Sequence, residues 1–270
     1  MSSNLERGFD DRARLVYRDS HQMSGRLFIL SPANCAGKRG QQLLSPKAGG
    51  QMATRLRSDD GVPLGELFAF MSGLYFRGKL AYATRFAVAP RVMLESHGAA
   101  GLGTRSSAVS INAVRGVHII TPSHGLRGPD EMVRLDDVKA FAGQAIDLAN
   151  DAYRQALEAS ARALLAAAGP CDIVLLGSIA SPKYVDVLLG VFGSRLLFPS
   201  DFVGRGDMSR GGLLLRQVAA GTELPYIPVA GAERRGTRPP KLPKLANAPA
   251  SSNAETPDSA SGSRSVRRRR

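Results

Sequence analysis

The chain has 270 residues, 43% apolar and 22% charged, enough to bury the core of one sizeable domain. Two cysteines and four scattered histidines exclude a disulfide framework and argue against a zinc or other transition-metal centre, and no apolar run is long enough to cross a bilayer. A formal charge of +13 points to an anionic partner but to no particular reaction.

Residues 1–25 are charged and irregular and read as a loose arm, without the charged-then-apolar pattern of a secretion signal, so a reducing, cytoplasmic setting is expected. Arg26–Leu30 (RLFIL) is short, continuous and aliphatic, as strands covered on both faces are. Leu64, Leu67, Phe68, Met71, Leu74 and Tyr75 recur at the spacing of one helical face, with a break at Gly73 or Gly78 before Leu80, Ala83 and Phe86 continue. Gly98–Thr104 carries no pattern. A second strand is expected at Val117–Thr121 (VHIIT). A helical stretch then runs from Asp136 to Ala168, interrupted near Gly143 and stopped by Gly169-Pro170. Ile173–Gly177 (IVLLG) and Arg195–Phe198 (RLLF) complete the main strands, and Tyr226–Val229 is a fifth. Ser181-Pro182 opens one helix and Asp207 caps another through Val218.

The compact domain is therefore placed at residues 26–232. It is α/β: a single domain with a central, mostly parallel sheet flanked by helices, plus a disordered basic C-terminal tail. That tail, residues 233–270, holds ten Lys/Arg against three acids, few large apolar groups and a final run from Arg267 to Arg270.

Each main strand is followed by a loop of small, hydroxylated and charged residues: 31–40, 122–130, 178–184 and 199–212. In an open α/β sheet, ligands bind at the carboxyl ends of the strands, so four such loops converge on one site if the strands are parallel neighbours. Lys38 and Arg39 stand at a helix start beside Gly37 and Gly40, where they suit an anion, although an ordinary strand-to-helix turn with exposed basic residues is the preferred reading of this segment alone. Ser123 and His124 suggest a nucleophile and base, or simply a turn before Gly125. Tyr184 either reaches over the crevice or packs in the core. Arg205, Ser209 and Arg210, among four glycines, suit phosphate, although an internal Arg–Asp pair explains the same letters.

ILSPAN, LFAFMSGLYFRGKLAYATRF, TPSHGLRGPD, VLLGSIASPKYVDVL and GRGDMSRGGLLLR, in this order, together resemble the YaaA-type peroxide-stress proteins. ILSPAN (29–34) is similar to that family's ISPAK opening, and LFAFMSGLYFRGKLAYATRF (67–86) to a later helix ending in RF. TPSHGLRGPD resembles its SGLYGLLRPLD-like turn, VLLGSIASPKYVDVL its NLAS-x-EY-x-x-x-V stretch, and GRGDMSRGGLLLR its RG-x-MSR-x-I segment. Asn34 stands where the family has lysine, and His124 where it has tyrosine; if that lysine carries chemistry, the chain either recruits Lys38 or has lost the activity. The resemblance implies a cytosolic α/β protein tied to oxidative stress and DNA protection. Its DNA-binding helix-hairpin-helix element would fall on residues 62–87, and Arg77 and Lys79 would then grip the phosphate backbone.

Three functions follow as expectations. The first is a DNA-associated stress protein that binds nucleic acid through phosphates, with Arg39, Arg77, Lys79, Arg205, Arg210 and the basic tail supplying the charge. The second is an enzyme acting on a nucleotide, nucleobase or glycosidic bond, with Asn34, Ser123, His124, Tyr184 and Asp207 at the substrate and Lys38 and Arg210 on its phosphate. The third is an interaction scaffold using the basic tail. No cofactor and no metal are expected.

Overall fold

The computed structural model describes residues 25–90, 114–180 and 182–242. In chain order these form β1 (Arg26–Leu30), α1 (Lys38–Leu44), α2 (Gln51–Arg57), β2 (Val62–Pro63), α3 (Leu64–Ser72) and α4 (Leu74–Phe86). After the 91–113 segment come β3 (Val117–Thr121), β4 (Gly125–Arg127), β5 (Met132–Val133), α5 (Leu135–Gly143) and α6 (Asp151–Ala168). The chain continues through β6 (Asp172–Leu176), α7 (Pro182–Phe192), β7 (Leu196–Pro199), α8 (Asp207–Ala220) and β8 (Tyr226–Pro228).

Six strands make one sheet in the order β4-β3-β1-β6-β7-β8. The inner four, β3, β1, β6 and β7, are parallel, while β4 and β8 close the edges antiparallel to their neighbours. Leu27 to Leu30 and Ile173 to Leu176 are fully buried, so the central strands lack alternation because both faces are covered. Helices flank the sheet: α4 pairs with α8, and α6 with α7. The expected fold class is thus the observed one, and β1 and β3 span the expected residues.

Several local readings differ. Gly125–Arg127, read as turn chemistry, pairs with β3 as an edge strand; with only three residues it carries no periodic signal. The helical stretch from Asp136 divides into α5 and α6, and the Asn150 side chain caps α6 by accepting from the Tyr153 N–H. Gly206, not Asp207, is the N-cap of α8, which leaves the Asp207 carboxylate in the first turn. The break in the first helical stretch falls at Gly73 (φ 63°), whereas Gly78 lies inside α4. A Cβ on Gly78 would meet the Gly211 carbonyl oxygen at 2.8 Å, and one on Gly211 would meet the Tyr75 Cα at 2.8 Å. These two glycines bring the α4 and α8 backbones together.

The first compact unit extends to Pro240, beyond the boundary expected at residue 232. Arg234 pairs with Asp186 at 3.2 Å, and the Thr237 carbonyl occupies the space beside Gly204, so this part of the expected tail is packed. The arm at residues 1–24, the Gly98–Thr104 segment, Ser181 and residues 243–270 lie outside the described residues. Among the described residues, no helix is long and apolar enough to cross a membrane.

Candidate functional site

The strand order creates a switch point. β1 continues to β3 on one side of the sheet, whereas β6 continues to β7 on the other, so the loops after β1 and β6 part at their shared carboxyl end. The Ser31 N–H bonds the Leu176 carbonyl at 3.1 Å at this point. Above it lies a cavity of about 640 Å³, the size of a small-molecule site.

All four post-strand loops reach this cavity. Ser31 to Ala36, Pro122, Ser178 with Lys183 and Tyr184, and Asp207 with Met208 each contribute to its wall. Helix α4 supplies Tyr75 and Lys79, and the end of α5 adds Phe141 and Gln144. The first turns of α7 and α8 both open on it, which adds the positive ends of two helix dipoles.

Lys79 is the unusual residue. It is 2% exposed, and its Nζ donates to the Ser31 carbonyl at 2.6 Å and to Ser31 Oγ at 2.8 Å. The Nζ also lies 4.7 Å from the ring centres of both Tyr75 and Phe76. Burial lowers its pKa to about 7, against the pull of the Asp207 carboxylate and with a further push from the Arg210 guanidinium. This is the amine of a group that exchanges its proton near neutrality.

Beside it, the Tyr184 hydroxyl donates to the Ser178 carbonyl at 2.9 Å and lies next to the Ser31 side chain. Burial, chiefly, holds the Tyr184 phenol in its protonated form. Gly177 permits this closeness: a Cβ there would lie 2.8 Å from Ser31 Cβ and 2.9 Å from Tyr184 Oη. The Tyr75 hydroxyl is buried beside Arg210 without a hydrogen bond of ordinary geometry, and burial raises its pKa. Cys35 borders the cavity too, but burial pushes its thiol up to about 12, which keeps it from acting as a thiolate nucleophile near neutrality.

The expected site residues divide sharply. Asn34, Tyr184 and Asp207 line the cavity. Ser123 and His124 do not: Ser123 Oγ is 3.4 Å from His124 Nδ1, and the imidazole packs edge-on against Phe141, 5.5 Å between ring centres. Lys38 is exposed at the first position of α1, and Arg39 Nη1 donates to the Phe70 carbonyl at 2.6 Å; neither borders the cavity. Arg205 bonds the Asp201 carbonyl at 2.9 Å and Ser209 Oγ at 3.3 Å, while Arg210 bonds the Phe202 carbonyl at 3.1 and 3.2 Å and Asp207 at 3.4 Å. Their guanidinium groups hold their own loop together instead of lining the cavity as phosphate ligands.

Lys79 requires the largest correction. Placed on the sequence as a backbone-gripping cation, it is interior and reaches no duplex, while Arg77 alone of that pair is exposed. Sequence reasoning also passed over Ser31 and Tyr75. The signal for Lys79 lay in the helical spacing, since Tyr75, Phe76, Tyr82 and Ala83 share its buried face. Among the described residues, no group of three His, Cys, Asp or Glu is placed to hold a metal ion. No family model, no curated protein and no solved structure matches this chain.

Proposed function

We propose that the chain is an enzyme whose substrate, a nucleotide- or nucleobase-sized anion, binds in the crevice between β1 and β6. The observation that carries this reading is Lys79: a buried lysine, hydrogen-bonded to Ser31, in a cavity bordered by two helix N-termini. A structural lysine has no need of a cavity, and a backbone binder has no need of a buried amine. Lys183 and the first turns of α7 and α8 favour an anionic group, while Tyr75 and Phe141 offer aromatic surface for a ring. Asn34, Gln144 and Asp207 supply the polar contacts that would fix its orientation. Free, buried Cys35 and Cys171 suit a reducing, cytoplasmic compartment.

A second reading is the DNA-associated, peroxide-stress role implied by the YaaA-type resemblance. It draws support from the formal charge of +13 and from the exposed Arg77. It no longer draws on Lys79.

A thermal-shift screen of the full chain against nucleotides, nucleobases and short duplex DNA separates the two. Stabilisation by a nucleotide or nucleobase that disappears in Lys79→Met supports the crevice enzyme. Stabilisation by duplex DNA alone, falling steeply with salt and unchanged in Lys79→Met, supports the backbone binder instead.

A further inference from the structure

We propose that Ser31 is a nucleophile, activated by Lys79 and held in line by Tyr184, and that the crevice carries out hydrolytic acyl transfer on an ester or amide borne by an anionic carrier. This rests on the crevice reading above and names its chemistry. The geometry is that of a nucleophile–base pair: Ser31 Oγ and Lys79 Nζ are 2.8 Å apart, both border the cavity, and both are almost fully withdrawn from solvent. The nucleophile has a third group beside it, because the Tyr184 hydroxyl, anchored on the Ser178 carbonyl, stands next to the Ser31 side chain across Gly177. Serine–lysine pairs of this kind perform acyl transfer on unrelated folds.

The neutral Lys79 amine takes the Ser31 hydroxyl proton as Oγ bonds to the substrate carbonyl carbon. The carbonyl π-electrons move to oxygen, then return as the bond to the leaving alcohol or amine breaks. Lys79 passes its proton to that leaving group. Water then attacks the Ser31 ester as Lys79 accepts its proton, and when the acyl–Oγ bond breaks Lys79 returns that proton to Ser31 Oγ, releasing the acid and restoring Ser31 and the neutral amine. No oxidant, metal or cofactor enters. The groups facing Lys79 Nζ are Asp207 and Arg210 from α8, and Tyr75 from its own helix, with Tyr184 from α7 at Ser31.

Treatment of the full chain with a small organophosphorus fluoride, followed by intact-mass and peptide mapping, tests the proposal. One adduct per chain is expected, on the peptide holding Ser31, and none in Ser31→Ala. Lys79→Met should slow labelling at least about 100-fold while its circular dichroism spectrum stays native, and Tyr184→Phe should slow it less. The wild-type labelling rate should rise as pH passes through 7, a response that a purely bracing lysine would not produce. Absence of an adduct from folded protein, an adduct at another residue, or equal rates in wild type and Lys79→Met would overturn the proposal. Its failure is distinct from failure of the crevice reading: nucleotide stabilisation that survives in an unlabelled chain removes only the nucleophile, whereas labelling at Ser31 without any nucleotide response removes only that ligand class.

Discussion

Two cationic regions sit close together around α4 and α8, and they use positive charge in opposite ways. Arg205 and Arg210 spend their donors on the carbonyls of Asp201 and Phe202 and on Ser209, so they fasten the turn between β7 and α8. Lys79 spends its donors on Ser31, which stands at a cavity wall. The more arginine-rich segment therefore braces a turn, and the solitary lysine is the one to which the proposal assigns chemistry. What a cation already bonds, and how dry its surroundings are, decides its role more than local charge density does.

The contrast is broken most severely by removing the amine. Lys79→Met is expected to lower turnover, or the labelling rate at Ser31, by about 10²–10⁴-fold, the range for loss of a positioned base. Arg205→Ala should leave that rate within about threefold, measured in the same assay, because nothing in its contacts reaches the cavity. Equal losses from both variants would erase the distinction.

Acidity sharpens the same comparison. The unfolded chain holds a lysine proton up to its ordinary 10.5, while folded Lys79 releases it near 7. Between those values the unfolded state binds more protons, so the folded state gains stability as pH rises from about 7 to about 10.5, and the gain is lost on returning below 7. Wild type should therefore gain on Lys79→Met over that window in parallel denaturant titrations. Activity should rise through about pH 7, with the midpoint moving up in Arg210→Ala, since Arg210 opposes the charged amine. It should move down in Asp207→Asn, since Asp207 favours that charge.

Smaller effects follow from geometry. Gly177→Ala puts a methyl 2.8 Å from Ser31 Cβ and should cost about 1–3 kcal/mol of stability, with a loss of labelling out of proportion to it. Arg210→Ala removes bonds to the Phe202 carbonyl and should cost about 1–2 kcal/mol in urea unfolding. Arg77→Ala, at an exposed position of α4, should fall within about 0.5 kcal/mol of wild type.

Much of the architecture could be read from the chain alone. RLFIL and VHIIT stand out because buried parallel strands need continuous aliphatic runs, and the four loops after such strands must share one end of the sheet. Short edge pieces such as β4 escaped, being too brief for any period. The site was half legible: Asn34, Tyr184 and Asp207 belong to loops whose position the topology dictates. Lys79 was misplaced because the resemblance put a DNA-binding hairpin on residues 62–87, whereas Gly78, packed against Gly211, lies inside a continuous α4 whose buried face holds the lysine. Ser31 was overlooked because a serine after a strand is ordinary; only the amine 2.8 Å away distinguishes it. The arginines misled because sequence shows donors but not the carbonyls that occupy them.

Titration of the lysine side chains by carbon-detected nuclear magnetic resonance, with Lys79→Met used to assign the resonance, measures the amine directly. A Lys79 midpoint near pH 7 is the predicted result. A midpoint at the ordinary lysine value near 10.5 would contradict it, because the amine would then stay charged at neutral pH and have no capacity to take a proton from Ser31.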